Sequence, residues 1–203
     1  MYLIDETYFN KSIAIPNLNE LGDALNDLES YIDEYVPLLL RECLGLELYS
    51  DFEANQNATK WSNLLNGVEY VKDGITYKWL GLLQTNGISK KSLLSNFVFY
   101  HWLTDKVSEV SQVGSKVTTI ENTNSVSSIN RLVKVWNEFI NEYQGTCTHF
   151  PDIYYKGGIQ VVDWFGTTQQ SNFVSLIQFL IDNETDYPNA TLKRYQFKNT
   201  LGL

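Results

Sequence analysis

Histidine is the side chain that most often carries acid–base chemistry, and the chain has two, His101 and His149. His101 precedes Trp102 on a predicted aromatic helix face, where a packed core or interface histidine is the expected role. His149 lies two residues after Cys147, and in a strand this spacing puts both side chains on one side. Two ligands are too few for a closed zinc site, so we expect no metal there.

The carboxylates and glycines give no recognisable catalytic or nucleotide-binding pattern either. Asp33 and Glu34 belong to a helical run of acids, where solvation is the expected state, whereas catalysis would need a cleft and shifted pKa values. Gly157-Gly158 lacks the strand–glycine–helix context of a phosphate loop. Lys90-Lys91 is an isolated basic pair and not the basic stripe of a nucleic-acid-binding protein. We therefore expect a protein that works by contact, with no catalytic residue, cofactor or metal.

The composition indicates one sizeable domain with a surplus of rings. The chain has 203 residues, of which 43% are hydrophobic and 14% aromatic. Tyrosine and tryptophan are common at protein interfaces, because they combine apolar area with a polar tip. Two cysteines are too few for a disulfide scaffold, and no signal or membrane-spanning segment is apparent. We expect folding in a reducing cytosol and no contact with a membrane.

The negative charge is concentrated in the first sixty residues. They carry three basic and twelve acidic residues, which accounts for the whole net charge of −9. Such a face disfavours direct binding of phosphate groups. Three interpretations stay open: a solvated helix face, a docking face for a basic partner, or a channel lining that repels DNA.

Hydrophobic periodicity predicts a mainly α fold, a helical bundle of about four to five helices with a β-hairpin, short additional strands and an extended inter-helix arm. The hairpin is predicted from Asp73-Gly74 between two strand-like runs, since glycine tolerates positive φ. Residues 1–16 look extended, and Pro37 is predicted to break or restart a helix. The predicted helices start at Asn17 or Asn19 and continue to Gly45, then span 50–65 with a Ser50 cap, 89–108, 126–144 and 170–182.

Four groups of motifs follow one another along the chain: Pro37-Leu-Leu-Leu-Arg-Glu-Cys-Leu-Gly45-Leu-Glu-Leu-Tyr49; Trp79-Leu-Gly-Leu82; residues 94–143, with the aromatic helix from Phe97 to Trp102, a polar arm and Val135-Trp136-Asn137; and Phe197-Lys-Asn199-Thr-Leu-Gly202-Leu203. In this order they resemble the head–tail connector proteins of tailed phages of Bacteroidetes, including crAss-like phages. Residues 146–168 match nothing in that pattern, and we interpret them as an insertion.

The resemblance implies one connector domain over residues 1–203, with an arm at about 108–128 and a tail at 187–203. It implies a structural virion protein at the head–tail junction, assembled in the bacterial cytoplasm. Copies would form a ring, typically dodecameric, below the portal protein. This ring would carry the next ring or tail protein and help line a channel through which DNA passes without sequence recognition. The expected interface residues are Val113, Gly114, Val117, Glu121, Asn122, Phe197, Leu201 and Leu203.

Two alternatives to a connector remain open. One is a small intracellular phage accessory or binding module that is not present in the virion. The other is an enzyme that uses His101 or His149 with nearby carboxylates.

Overall fold

The structure, a computed structural model, describes residues 3–16, 18, 22–86, 89–107, 110–111, 114–115, 128–145, 161–162, 168–169 and 173–199. Within them the chain is mainly α-helical, with short antiparallel strand pairs, which confirms the predicted fold class. The helices are α1 (Gly22–Leu44), α2 (Leu46–Asn55), α3 (Thr59–Asn66), α4 (Leu93–Val107), α5 (Ser128–Gln144) and α6 (Leu176–Asp182). The strand pairs are β1 (Val68–Lys72) with β2 (Ile75–Trp79), β3 (Gln84–Asn86) with β4 (Ser89–Lys91), β5 (Val110–Ser111) with β6 (Gly114–Ser115), and β7 (Val161–Val162) with β8 (Thr168–Gln169).

Helix α4 is the centre of the body, because it packs against both α1 and α5. Its residues Leu93, Leu94 and Phe97–Phe99 are all buried, as expected for a helix covered on more than one side. Helix α5 is amphipathic, and the apolar stripe that the sequence predicts from Ile129 to Tyr143 is buried at Trp136, Phe139, Ile140 and Tyr143. Ile129 lies in the first turn of α5 and is 52% exposed. No helix in the described part of the chain combines the length and the apolar character needed to cross a membrane.

Helix α1 continues through Pro37, so the predicted break is wrong. A proline inside a helix removes one backbone donor and crowds the preceding turn, at a cost of about 3 kcal/mol. Buried Val36, Leu39 and Leu40 on both sides of the proline hold the helix against the core and offset this cost.

Helices α1 and α2 are joined by the single residue Gly45. Because α2 starts directly after it, at Leu46, the prediction that Ser50 caps a helix is also wrong. Gly45 has φ +84°, a conformation that glycine adopts without strain. Its N–H donates to the Arg41 carbonyl over 2.9 Å, and its own carbonyl accepts from the Tyr49 N–H over 3.0 Å. One residue therefore ends α1 and starts α2, which leaves Ser50 inside α2.

The N-terminal segment forms two 3-10 turns, Glu6–Tyr8 and Lys11–Ile13, and not the extended structure predicted for residues 1–16. A strand needs a neighbour to satisfy its backbone, whereas these turns bond locally. The Arg131 guanidinium of α5 also donates to the carbonyls of Ser12 and Ala14, each over 2.9 Å. Three apolar side chains of this segment, Ile4, Ile13 and Ile15, are nevertheless buried in the core.

The β1–β2 hairpin matches its prediction. Val68 pairs with Trp79 and Lys72 with Ile75, which leaves Asp73 and Gly74 as the turn. Both turn residues have positive φ, 52° and 76°, as the tight two-residue hairpin turn requires.

Two predicted helix starts are later than expected. The helix predicted from residue 89 begins at Leu93, because residues 89–91 form β4 and pair with β3. Just before the helix, the Ser92 hydroxyl accepts a hydrogen bond from the Leu94 N–H over 3.1 Å. The helix predicted from residue 170 begins at Leu176, where the Ser175 hydroxyl caps it. Just before that cap, Phe173 forms a parallel bridge to Lys78 of β2.

Several predictions fall wholly or partly outside the described residues. They are the helix caps Asn17 and Asn19, most of the arm at 108–128, and most of the insertion at 146–168. Within the arm, the described residues form the antiparallel pair β5–β6, with Val110 opposite Ser115. The single connector domain over residues 1–203 stays a prediction.

Candidate functional site

The C-terminal tail has no helix or strand of its own over residues 187–199, yet the helical body holds it along its length. The last carbonyls of a helix lack partners within that helix. Here the tail supplies donors to two of them, because the N–H of Leu192 bonds to the Cys43 carbonyl over 2.9 Å and that of Lys193 to the Glu42 carbonyl over 3.3 Å. The tail thus closes the end of α1 before it reaches α5.

On α5, two side-chain amides bind the main chain of the tail, a contact that we call the seam. Gln144 donates to the Tyr195 carbonyl over 2.8 Å and accepts from the Tyr195 N–H over 2.9 Å. Asn137 does the same at Lys198, over 2.8 and 2.9 Å. A side-chain amide has the donor and acceptor of a peptide group, so each one substitutes for a residue of a neighbouring β-strand.

The spacing of the two amides fits an extended chain that runs antiparallel to α5. Seven residues of helix, from Asn137 to Gln144, rise by about 10.5 Å. Three residues of extended chain, from Tyr195 to Lys198, span about 10 Å. Both amides can therefore engage at once only when the tail is extended, so the seam selects a conformation and not a side-chain sequence.

The residues that precede the two amides repeat the same spacing. Trp136 donates its indole N–H to the Gln196 carbonyl over 2.8 Å, and the Tyr143 hydroxyl donates to the Lys193 carbonyl, also over 2.8 Å. Both side chains are largely buried within the apolar stripe of α5. The seam therefore makes six hydrogen bonds from α5 side chains, all of them to main-chain atoms of the tail.

One tail side chain, Tyr195, anchors the seam in the aromatic core. Its ring lies 5.5 Å from Trp136 and 5.3 Å from Tyr143, between centroids. Its hydroxyl donates to the Glu42 carboxylate, which also forms an ion pair with Lys193. Burial acts to raise the pKa of Glu42, but the hydrogen bonds from Lys193 and Tyr195 outweigh it and hold that pKa below its usual value. Glu42 thus stays ionised as the α1 partner of the tail.

His101 has the packing role predicted for it. Its ring stacks on Tyr35 at 4.1 Å and meets the edge of Phe97 at 4.7 Å. Burial lowers the pKa of His101, against the opposing effect of Asp105. His149 and Cys147 lie outside the described residues, and within the described ones no group of three or more His, Cys, Asp or Glu side chains is placed to hold a metal.

A second surface, which we call the acidic cleft, lies between α1, α2 and the N-terminal segment. It has a volume of about 430 Å³. Asp33 and Glu53 stand exposed at its sides, and Tyr49 donates to Glu53 over 2.9 Å. Its apolar lining consists of Leu3, Ile32, Val36, Pro37, Leu40 and Phe52. The cleft can accept an apolar side chain that lies next to a cation.

Of the predicted interface residues, the structure describes two. Phe197 lies on the tail within the seam, with 38% of its surface exposed, and Gly114 belongs to β6. The others, Val113, Val117, Glu121, Asn122, Leu201 and Leu203, lie outside the described residues.

The prediction from sequence missed Asn137, Gln144 and Tyr195, which form the centre of the seam. A signal for them is present in the sequence. Asn137 and Gln144 each follow an aromatic residue of the α5 stripe, and they are seven residues apart. Amides at that spacing place two donor–acceptor groups along one edge of the helix, but they do not identify what binds there.

Compared with known protein families, curated proteins and solved structures, the chain has no match. The resemblance to head–tail connectors therefore stays a hypothesis that rests on the order of its motifs.

Proposed function

We propose that this protein is a structural subunit of a ring that joins a phage capsid to its tail, and that it works by contact and not by catalysis. The ordered motifs that resemble connector proteins support the proposal. The observation that carries it is the exposed acidic cleft on α1–α2, which can serve as one of the two patches of a ring contact, whereas the seam on α5 is covered by the chain's own tail. A head-to-tail ring needs two different, complementary patches on every subunit.

The charges of the body support a docking role for the acidic cleft. Many of the lysines form ion pairs within the chain: Lys60 with Asp51, Lys72 with Asp182, Lys90 with Asp5, Lys91 with Glu142 and Lys106 with Asp27. Asp27 of α1 and Asp51 of α2 belong to these pairs, while Glu34, Glu47 and Glu53 of the same two helices are exposed. Electrostatic complementarity then favours a basic partner on this face.

The apolar lining of the cleft favours protein docking over a channel lining. A surface that only repels passing DNA needs negative charge, because the DNA backbone is itself anionic. It has no need of a cavity between Asp33 and Glu53 that is lined in part by apolar side chains. We therefore assign this face to a neighbouring subunit or the portal, whose contact segment would carry an apolar side chain beside Lys or Arg.

Two measurements test the proposal. Mass spectrometry of purified phage particles should detect the chain as a structural component, and native mass spectrometry of the purified chain should detect closed rings. The double variant Asp33→Lys with Glu53→Lys should prevent ring formation. The matched control is Glu184→Lys with Asp186→Lys, which reverses two exposed acids outside the cleft.

Absence of the chain from particles would reject the connector role in favour of an accessory or binding module. Rings that survive the double charge reversal as well as they survive the control change would reject the acidic cleft as a subunit interface.

A further inference from the structure

The seam has the properties of a binding site for an extended peptide segment. We propose that it is such a site, and that the tail of a second copy of this chain occupies it in exchange with the copy's own tail. The inference goes beyond the proposed function, because exchange requires a second copy and neither a capsid nor a phage tail.

The recognition is directed at the main chain. All six hydrogen bonds from α5 end on N–H or C=O groups of residues 193–198. A segment from another chain can make the same bonds if it is extended and carries an aromatic ring at the position of Tyr195. The tail of a second copy meets both conditions, and its Lys193 can also reach Glu42.

Exchange between copies breaks no secondary structure within the described part of the tail. No helix or strand occurs within residues 191–199, so its order comes from the surface on which it lies. The six bonds of the seam can form equally well whether the tail comes from the same chain or from a neighbour. The balance between the two arrangements is therefore set by the hinge that leads into the tail.

This hinge is strained in the closed arrangement. Leu192 has φ +51° and Asn189 has φ +59°. The left-handed region is unfavourable for most L-residues but is visited by asparagine, so Leu192 carries most of the strain. Strained hinges favour exchange of a segment between copies, because the open arrangement lets the hinge relax. Relaxation of one left-handed leucine favours exchange by roughly 5- to 30-fold, and loss of the Leu192 N–H bond to the Cys43 carbonyl offsets part of this gain.

Exchange is opposed by the proximity of each tail to the seam of its own chain. A segment on a short linker competes for its own site at an effective concentration in the millimolar range. Exchange should therefore increase with protein concentration and dominate where copies are held side by side. The test therefore covers a range of protein concentrations.

The test uses the unmodified chain and the contact between Lys193 and Glu42. Unlabelled and ¹⁵N-labelled copies are unfolded together, refolded together over a range of concentrations, and coupled with a carbodiimide, which joins an amine to an adjacent carboxylate. Mass spectrometry then reads the isotope composition of each Glu42–Lys193 conjugate. The internal control is the pair Asp27–Lys106, which joins α1 to α4 within the body at 3.2 Å.

We expect mixed-isotope Glu42–Lys193 conjugates whose share rises with concentration, while Asp27–Lys106 conjugates keep a single isotope. Leu192→Gly should lower the mixed share by roughly 5- to 30-fold, because glycine adopts the left-handed conformation without strain. Asn189→Gly serves as the control and should change it much less.

Single-isotope Glu42–Lys193 conjugates at every concentration would overturn the proposal. Mixed isotopes in both pairs would also overturn it, since they would indicate nonspecific association. A Leu192→Gly variant that exchanges as readily as the unmodified chain would reject the hinge as the cause. None of these outcomes depends on whether the chain is found in phage particles.

Discussion

Replacement of Asn137 by alanine should free the end of the tail while the helical body stays folded. The change removes two hydrogen bonds to Lys198, of 2.8 and 2.9 Å. A neutral hydrogen bond contributes about 0.5–1.5 kcal/mol, so the free energy of local opening should fall by about 1–3 kcal/mol. The lower half of that range is expected, because the seam is only half-buried and water can replace part of the lost bonding. Gln144→Ala should have the same effect at Tyr195.

Hydrogen exchange measured by mass spectrometry is the direct assay. A fall of 1–3 kcal/mol corresponds to roughly 5- to 150-fold faster exchange of the backbone amides in residues 193–199. Amides in the middle of α4 should keep their protection. The matched control is Asn130→Ala, the same chemical change at an exposed position of the same helix.

The isosteric change Asn137→Asp distinguishes the contributions of the two hydrogen bonds. The carboxylate keeps the acceptor for the Lys198 N–H and loses the donor to the Lys198 carbonyl, so its effect should be intermediate. If Asn137→Ala and Gln144→Ala leave exchange in the tail as slow as in Asn130→Ala, the seam does not hold the tail and the reasoning fails.

Three further predictions concern the body. Gly67→Ala should lower the free energy of unfolding in urea by more than about 1 kcal/mol, because φ is +86° and a new Cβ would lie 2.6 Å from a backbone oxygen. The control is Gly74→Ala, where φ is +76° but the space around a new Cβ is open, so this variant measures the backbone strain without the steric clash. The half-buried His101 has a lowered pKa, so the unfolded chain binds protons more readily and stability should decline as the pH falls below the usual histidine value of 6.5. His101→Phe should flatten that decline in thermal melts; an unchanged slope would assign it to other groups. A Cys147→Ser variant leaves Cys43 as the one thiol of the chain. Thiol reagents should react with this buried cysteine only after unfolding, because burial raises its pKa to about 12. Rapid labelling of the native variant would contradict this.

Local signals were sufficient to predict the hairpin and the main helices. Asp73-Gly74 defines a turn that needs two positive φ angles, and the stripe from Ile129 to Tyr143 repeats at helical spacing. Each depends on residues close together in the chain. The break assigned to Pro37 was wrong because tertiary packing on both sides of the proline outweighs its local cost.

The seam could not be predicted from local periodicity. Its partners are 51 and 61 residues apart, Gln144 with Tyr195 and Asn137 with Lys198. A polar amide beside an apolar stripe is compatible with solvent, a cap or a neighbouring chain. Only the three-dimensional register of helix and tail identifies its partner. Residues 187–199 are irregular, and an irregular segment gives no periodicity from which its docking site can be predicted.

Cryo-electron microscopy of the neck of the phage particle tests the connector proposal most directly. We expect a closed ring below the portal in which every subunit fits the body of α1, α4 and α5. The acidic cleft should be filled by a basic segment of a neighbour, and every seam should be occupied by a tail. A neck whose density is fully explained by other proteins, in particles that lack this chain, would contradict it.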